Sequence, residues 1–144
     1  MAAFKIALVV GSNRRESINR KLAQALAKLG SDRLDFKFVQ IDDLPLYNQD
    51  HESNLAPSVA RFKAELADAD GVLIVTPEHN RSIPAALKNA IDWGTRPWGK
   101  NSWTGKVVAV TGAGRGIGAA IARRLAADGA RLTLLGRNLD VLLA

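Results

Sequence analysis

Short apolar, β-branched runs at 5–10, 36–41, 71–76, 106–111 and 131–135 alternate along the chain with segments whose apolar residues return at helical spacing. One backbone cannot satisfy a period of two and a period of 3.6 together, so the alternation reads as βαβαβαβαβ. Runs as apolar as 6–10 and 107–110 suit strands buried on both faces, which means parallel strands with helices above and below. At 144 residues, with 47% apolar and 24% charged residues, the chain has room for a single domain, 1–144, around one core.

Right-handed crossovers then give an α/β doubly wound three-layer sandwich: a five-stranded parallel sheet, with flavodoxin-like order 2-1-3-4-5 the leading candidate. The first helix is expected to bury Ile18, Leu22, Leu26 and Leu29, the second Val59, Phe62, Leu66 and Ala69 after Pro57. The third carries Ile83, Leu87 and Ile91 behind Ser82 as N-cap, and the fourth carries Ile117, Ile121 and Leu125 and stops at Gly129. After the fifth strand only 136–144 remain, enough for a shortened final helix. A sheet face left partly uncovered is expected to be closed by a partner subunit, hence a homodimer.

With no cysteine and only His51 and His79, neither disulfides nor a structural metal is expected. The apolar runs are strand-sized, so no membrane span is expected and a cytoplasmic protein is the default. The formal charge of +6 favours anionic partners. Arg14, Arg15, Arg81, Arg115 and Arg137 fall in loops after strands rather than in a stripe, which suits a compact phosphate-bearing cofactor. Trp93, Trp98 and Trp103 alternate with Arg96 and Lys100, but packing explains them better than base stacking, and no nucleic-acid partner is expected.

Gly11-Ser12-Asn13-Arg14-Arg15-Glu16-Ser17-Ile18-Asn19 leaves the first strand and opens the first helix. Backbone N–H groups, hydroxyls and a guanidinium converge there on a helix N-terminus, an anion site; the alternative is an ordinary turn with Ser17 as N-cap. This loop, with Asp43-Leu44-Pro45-Leu46-Tyr47-Asn48, Val75-Thr76-Pro77-Glu78-His79-Asn80-Arg81-Ser82-Ile83-Pro84 and Leu87-Lys88-Asn89-Ala90-Ile91-Asp92-Trp93, resembles the NAD(P)H-dependent FMN reductase family, which includes chromate and quinone reductases. The likeness covers about 5–105. It implies that Ser12, Arg14, Ser17 and Asn19 hold the FMN phosphate and that Pro77, Glu78, His79 and Asn80 line the isoalloxazine ring. His79 stands where tyrosine is commoner in the family. The resemblance also implies ping-pong hydride transfer from NAD(P)H through FMN to a quinone, free flavin or metal oxyanion. The cofactor carries that chemistry, so no catalytic side chain is assigned.

A second glycine turn, Thr111-Gly112-Ala113-Gly114-Arg115-Gly116-Ile117-Gly118, again joins a strand to a helix. With Ala126, Asp128, Gly129 and Ala130, then Gly136-Arg137-Asn138, it resembles the opening β-α-β unit of short-chain dehydrogenases/reductases over about 105–144. That likeness implies a loop of NADP type, with Gly112, Gly116 and Gly118 at the pyrophosphate, Arg137 at the 2′-phosphate and Arg115 assisting. Short-chain dehydrogenase catalysis is excluded: Tyr47 is the only tyrosine, and His51 stands where the Tyr-x-x-x-Lys lysine belongs. The junction at Gly105-Lys106 reads as a seam between two fold families, the pattern of an engineered chimera. Three functions follow: an FMN-binding protein with residual reductase activity, a chimera without cofactor, or an NADP(H) binder through the Gly112 loop.

Overall fold

The computed structural model describes residues 3–111, 116–127, 129 and 131–135. In chain order these form β1 (Phe4–Val10), α1 (Ile18–Gly30), β2 (Leu34–Val39), α2 (Pro57–Asp68), β3 (Gly71–Val75), α3 (Ala85–Thr95), β4 (Val107–Thr111), α4 (Gly116–Ala127) and β5 (Arg131–Leu135). The strands are parallel and lie side by side as β2-β1-β3-β4-β5, a flavodoxin-like α/β arrangement. The order reverses between β1 and β3, and their carboxyl ends form the switch point at which ligands of such sheets bind.

Residues alternate between the two faces of each strand, so the sheet divides the core in two. Ala7 and Val9 of β1 join Phe62 and Leu66 of α2, Leu87, Ile91 and Trp93 of α3, and Leu125 of α4 in the larger cluster. On the opposite face, among the described residues, Leu8, Val10 and Val75 cluster with Ala23, Leu26 and Ala27 of α1 and with Phe36 and Leu73 of the neighbouring strands. This second layer is thin, and it corrects the expected core of α1. Ile18 and Leu29 are 78% and 82% exposed, and Leu22 is 45% exposed. The apolar arc of α1 is wider than its contact with the sheet. Its small residues, Ala23 and Ala27, take the centre of that contact, and the leucine flank is left outside. Arg20 of α1 lines a pocket with Phe38 of β2, and Val107 of β4 is 47% exposed.

Ser82 is not the cap of α3: the helix begins at Ala85 behind Pro84, whose ψ of 145° is extended, and Ser82 is engaged in a turn described below. α4 stops as expected, with Gly129 at φ +83° and its N–H donating to the Ala126 carbonyl. Residues 139–144, expected to form the short final helix, lie outside the described residues. Of the tryptophans, Trp93 and Trp103 are buried as expected, but Trp98 is exposed.

The segment after β2 is tied along α3. Asn89 accepts at Oδ1 from the Tyr47 backbone N–H (2.8 Å) and donates through Nδ2 to the Pro45 carbonyl (2.9 Å). That carbonyl also takes the Trp93 indole N–H at 2.7 Å, and the Tyr47 and Trp93 rings meet edge to face at 5.1 Å. Tyr47 donates its hydroxyl to Glu52 Oε1 at 2.5 Å, and Arg96 Nε donates to the same oxygen at 2.6 Å. Below them Lys63 Nζ caps the carbonyl end of α3, donating to Arg96 O (2.6 Å), Ser102 Oγ (2.9 Å) and Lys100 O (3.1 Å). Burial pushes the Lys63 ammonium below its usual range, and the Glu52 charge opposes that shift.

The Tyr47 hydrogen bond, and after it the Arg96 guanidinium, hold the Glu52 carboxyl below its ordinary value of 4.5. A depressed carboxyl pKa contributes stability that is complete above 4.5 and is lost as pH falls through the lower folded-state value. Glu52→Gln is therefore expected to be less stable than the parent at neutral pH, and to lose less further stability on acidification. Urea midpoints at several pH values test this, and parallel acid limbs for the two proteins would remove the linkage.

Candidate functional site

Gly11 ends β1, and its N–H donates to the Val75 carbonyl at 2.9 Å, so the loops after β1 and β3 leave the sheet side by side. They approach so closely that a Cβ at Gly11 would stand 2.2 Å from Thr76 Oγ1 and 3.0 Å from Leu87 Cδ2. Only glycine allows that contact. The chain then runs through Ser12–Glu16 and enters α1 at Ser17, which has extended φ and ψ of −72° and 125°.

Ser17 is 4% exposed, the one polar residue in the buried class among the described residues, and its hydroxyl makes no capping bond to the helix. The first turn of α1 holds no acidic residue either, so its orphan N–H groups and positive dipole end remain uncompensated by side chains of that turn. An N-cap serine normally accepts from an N–H two or three residues on. Here that hydroxyl, and those N–H groups, remain available to a ligand.

Opposite, the loop after β3 folds into a two-residue turn. His79 N–H donates to Ser82 O (2.8 Å) and Ser82 N–H to His79 O (2.9 Å), with Asn80 at φ +52° and Arg81 at φ +58°. Both central residues are left-handed, which defines a type I′ turn. Asparagine tolerates that conformation, whereas arginine is strained in it by about 1 kcal/mol. Arg81→Gly is accordingly expected to raise stability by about 1 kcal/mol, visible as a higher thermal midpoint. A fall in that midpoint would show that Arg81 makes a contact worth more than its strain.

Between the two loops lies a cavity of about 620 Å³. Ser12, Arg14, Ser17 and Asn19 line one side and Pro77, Glu78 and His79 the other, so the structure brings together all the residues expected to hold FMN except Asn80, which occupies the turn. Asn13 and Ile18 also line it, as do Pro84 and Ala86 at the start of α3. Asn13 lay in view within the quoted loop. Pro84 and Ala86 carry no polar signal, and only the fold shows that the N-terminus of α3 shares this edge. Among the described residues Arg14 makes no ion pair or hydrogen bond, so its guanidinium has no competing partner. The blocks 43–48 and 87–93 do not line the cavity: they are bonded to each other through Asn89 and Trp93.

The second glycine loop is different. Gly116 and Gly118 lie in the first turn of α4, while Gly112, Arg115 and Arg137 lie outside the described residues.

A doubly wound sheet with the N-terminus of α1 at its switch point, and the turn-forming loop after β3 facing it across a cavity, is an arrangement that suits a phosphorylated planar cofactor. The profile of the NADPH-dependent FMN reductase family matches residues 4–134, and the chain belongs to that family. The match runs past Gly105-Lys106, so the likeness does not stop at the seam expected from the sequence. The chain is 58% identical over 123 residues to a 2-hydroxy-1,4-benzoquinone reductase of a Burkholderia species, covering 84% of this chain and 67% of that protein. It is 54% identical over 108 residues to a quinone reductase of Pseudomonas putida, covering 74% of this chain and 58% of that protein. The structure superposes with a TM-score of 0.81 on FerB, a flavoenzyme NAD(P)H:(acceptor) oxidoreductase from Paracoccus denitrificans, at 40% identity over 95% of this chain and 76% of FerB. The chain thus spans roughly three-fifths to two-thirds of the length of the quinone reductases it matches. No helix among the described residues is long and apolar enough to cross a membrane.

Proposed function

We propose that the chain binds FMN in the cavity between the Gly11 and Pro77 loops and serves as an NAD(P)H-dependent quinone reductase. The observation that carries the reading is Ser17: buried, uncapped and lining the cavity beside the unpaired Arg14. A phosphate there takes hydrogen bonds from the N–H groups of the first turn, the hydroxyls of Ser12 and Ser17, and the fork of Arg14. Its charge is matched by the helix dipole. Pro77, Glu78 and His79 then form the wall for the ring, their backbone held by the type I′ turn and by the contact of Gly11 with Thr76.

When bound, FMN supplies hydride and electron transfer between NAD(P)H and a quinone. The chain's own part is to fix the ring against the β3 loop, keep its phosphate bound through turnover and limit water at the buried edge. No side-chain acid, base or nucleophile is assigned. The test is to load the purified protein with FMN and follow NADPH oxidation with a 1,4-benzoquinone. Retention of flavin with quinone-dependent turnover is expected, and failure to retain FMN after desalting would overturn the reading.

A homodimer is proposed with it. What supports it is the exposed stripe of Ile18, Leu22 and Leu29 on α1, an apolar face that a second copy can cover. Sedimentation giving a monomer at all concentrations would remove it. The second reading, NADP(H) binding through Gly112, Arg115, Gly116, Gly118 and Arg137, is supported by the glycine spacing and predicts weaker NADPH binding in Arg137→Ala. The same spacing supports a composite origin for 105–144, against which stands the FMN reductase match that continues to residue 134.

A further inference from the structure

Of the arginines near the switch point, Arg14 lines the larger cavity, and Arg20 lines a smaller cavity of about 270 Å³ on the β2 side of the Gly11 loop. Arg81 lines neither. It occupies the second central position of the type I′ turn at φ +58°, a place that takes glycine by preference, behind Asn80 at φ +52°. An arginine is strained there, and no contact of its side chain offsets the strain: it is exposed and, among the described residues, has no ion pair or hydrogen bond. Strain kept without an internal partner directs attention to an external one.

The turn stands where such a partner arrives. His79 before it and Pro84 after it line the larger cavity, so Arg81 lies at the rim, open to a molecule that approaches once the cavity holds its cofactor. The reciprocal bonds of 2.8 and 2.9 Å between His79 and Ser82 fix the turn, and with it the point from which the guanidinium extends. Arg81 is the one arginine or lysine of residues 76–84, whereas Glu78 in the cavity wall is acidic. A planar fork of donors on a fixed backbone suits a phosphate group.

We propose that Arg81 binds a phosphate group of the nicotinamide dinucleotide that comes to the loaded cavity, which makes it a substrate-binding residue at the rim. The proposal rests on the FMN reading of that cavity. The phosphate has two possible sources: the 2′-phosphate, which NADPH carries and NADH lacks, and the pyrophosphate that both share.

The test titrates FMN-loaded protein by calorimetry with NADP⁺ and with NAD⁺, which have no hydride to give, for the parent, Arg81→Gly, Arg81→Lys and Arg15→Gln. Glycine relaxes the left-handed position, so Arg81→Gly keeps the fold. Arg15→Gln removes the same unit of charge from an exposed residue of the Gly11 loop that also has no partner among the described residues. If the 2′-phosphate is the source, Arg81→Gly weakens NADP⁺ roughly tenfold or more and leaves NAD⁺ unchanged; if the pyrophosphate is, both weaken alike. In either case Arg81→Lys falls between, Arg15→Gln stays near the parent, and the KM for NADPH rises in Arg81→Gly at unchanged kcat. NADP⁺ binding unmoved by Arg81→Gly overturns the proposal. So does equal weakening by Arg15→Gln, which would reduce Arg81 to a share of the long-range field. FMN affinity is expected to be the same in all four proteins, so those outcomes leave the FMN site standing. Parent protein that retains no FMN overturns both.

Discussion

Replacing Arg14 and Ser17 together by alanine is expected to weaken FMN binding by roughly two to three orders of magnitude while leaving the fold intact. Each charged hydrogen bond to a phosphate contributes about 1.5–3 kcal/mol, and two such partners are removed at once. The usual objection, that loss of a helix cap unfolds the helix, has little force here. Ser17 makes no capping bond, and Arg14 has no partner among the described residues. The fold therefore has little to lose at either position. Flavin fluorescence titration gives the affinity, and far-ultraviolet dichroism with the thermal midpoint checks the fold. Arg14→Lys separates charge from geometry: it keeps the point charge, loses the planar fork, and is expected to fall between parent and double variant. Unchanged FMN affinity in the double variant would place the phosphate elsewhere.

The residues that line the candidate cavity were legible in the sequence because a phosphate site at a helix N-terminus would demand particular local chemistry. Glycine, hydroxyls and arginine within nine positions are a local signal, and the structure gathers them with Pro77, Glu78 and His79 into one cavity. Strand positions were legible for a similar reason, since β-branched runs between helical segments depend little on distant context. What was not legible depended on partners far along the chain. The stripe of Ile18, Leu22 and Leu29 has the spacing of a buried face, yet nothing in the periodicity says how wide a surface the sheet offers it. Ser82 has the composition of a cap, but its N–H is spent on His79, a choice made by the left-handed pair Asn80 and Arg81. The blocks 43–48 and 87–93 carry the family resemblance in the sequence without showing what they do. They are the two halves of a latch, joined by Asn89 and Trp93 to the Pro45 carbonyl and the Tyr47 N–H.

Trp103→Ala is expected to be among the most destabilising single changes, at about 3–5 kcal/mol, a large share of the roughly 5–15 kcal/mol that holds a domain folded. The indole is 0% exposed, its N–H donates to the Ile91 carbonyl at 3.3 Å, and its ring meets Phe62 edge to face at 6.2 Å. It also lies against Gly94 so closely that a Cβ there would stand 2.3 Å from Nε1. That contact gives the prediction a second, sharper form. In the parent, Gly94→Ala drives a methyl group into the indole and is expected to cost about 1–3 kcal/mol. In the Trp103→Ala background the space is open, and the same change gains helix propensity of up to about 1 kcal/mol, so its sign reverses. Urea denaturation of the four proteins gives the cycle. Trp103 lies outside both cavities, so FMN affinity of whatever fraction remains folded is expected to match the parent. Additive effects of the two substitutions would mean that the methyl and the indole do not compete for one space. The destabilisation would then have to come from the lost burial and the Ile91 hydrogen bond alone.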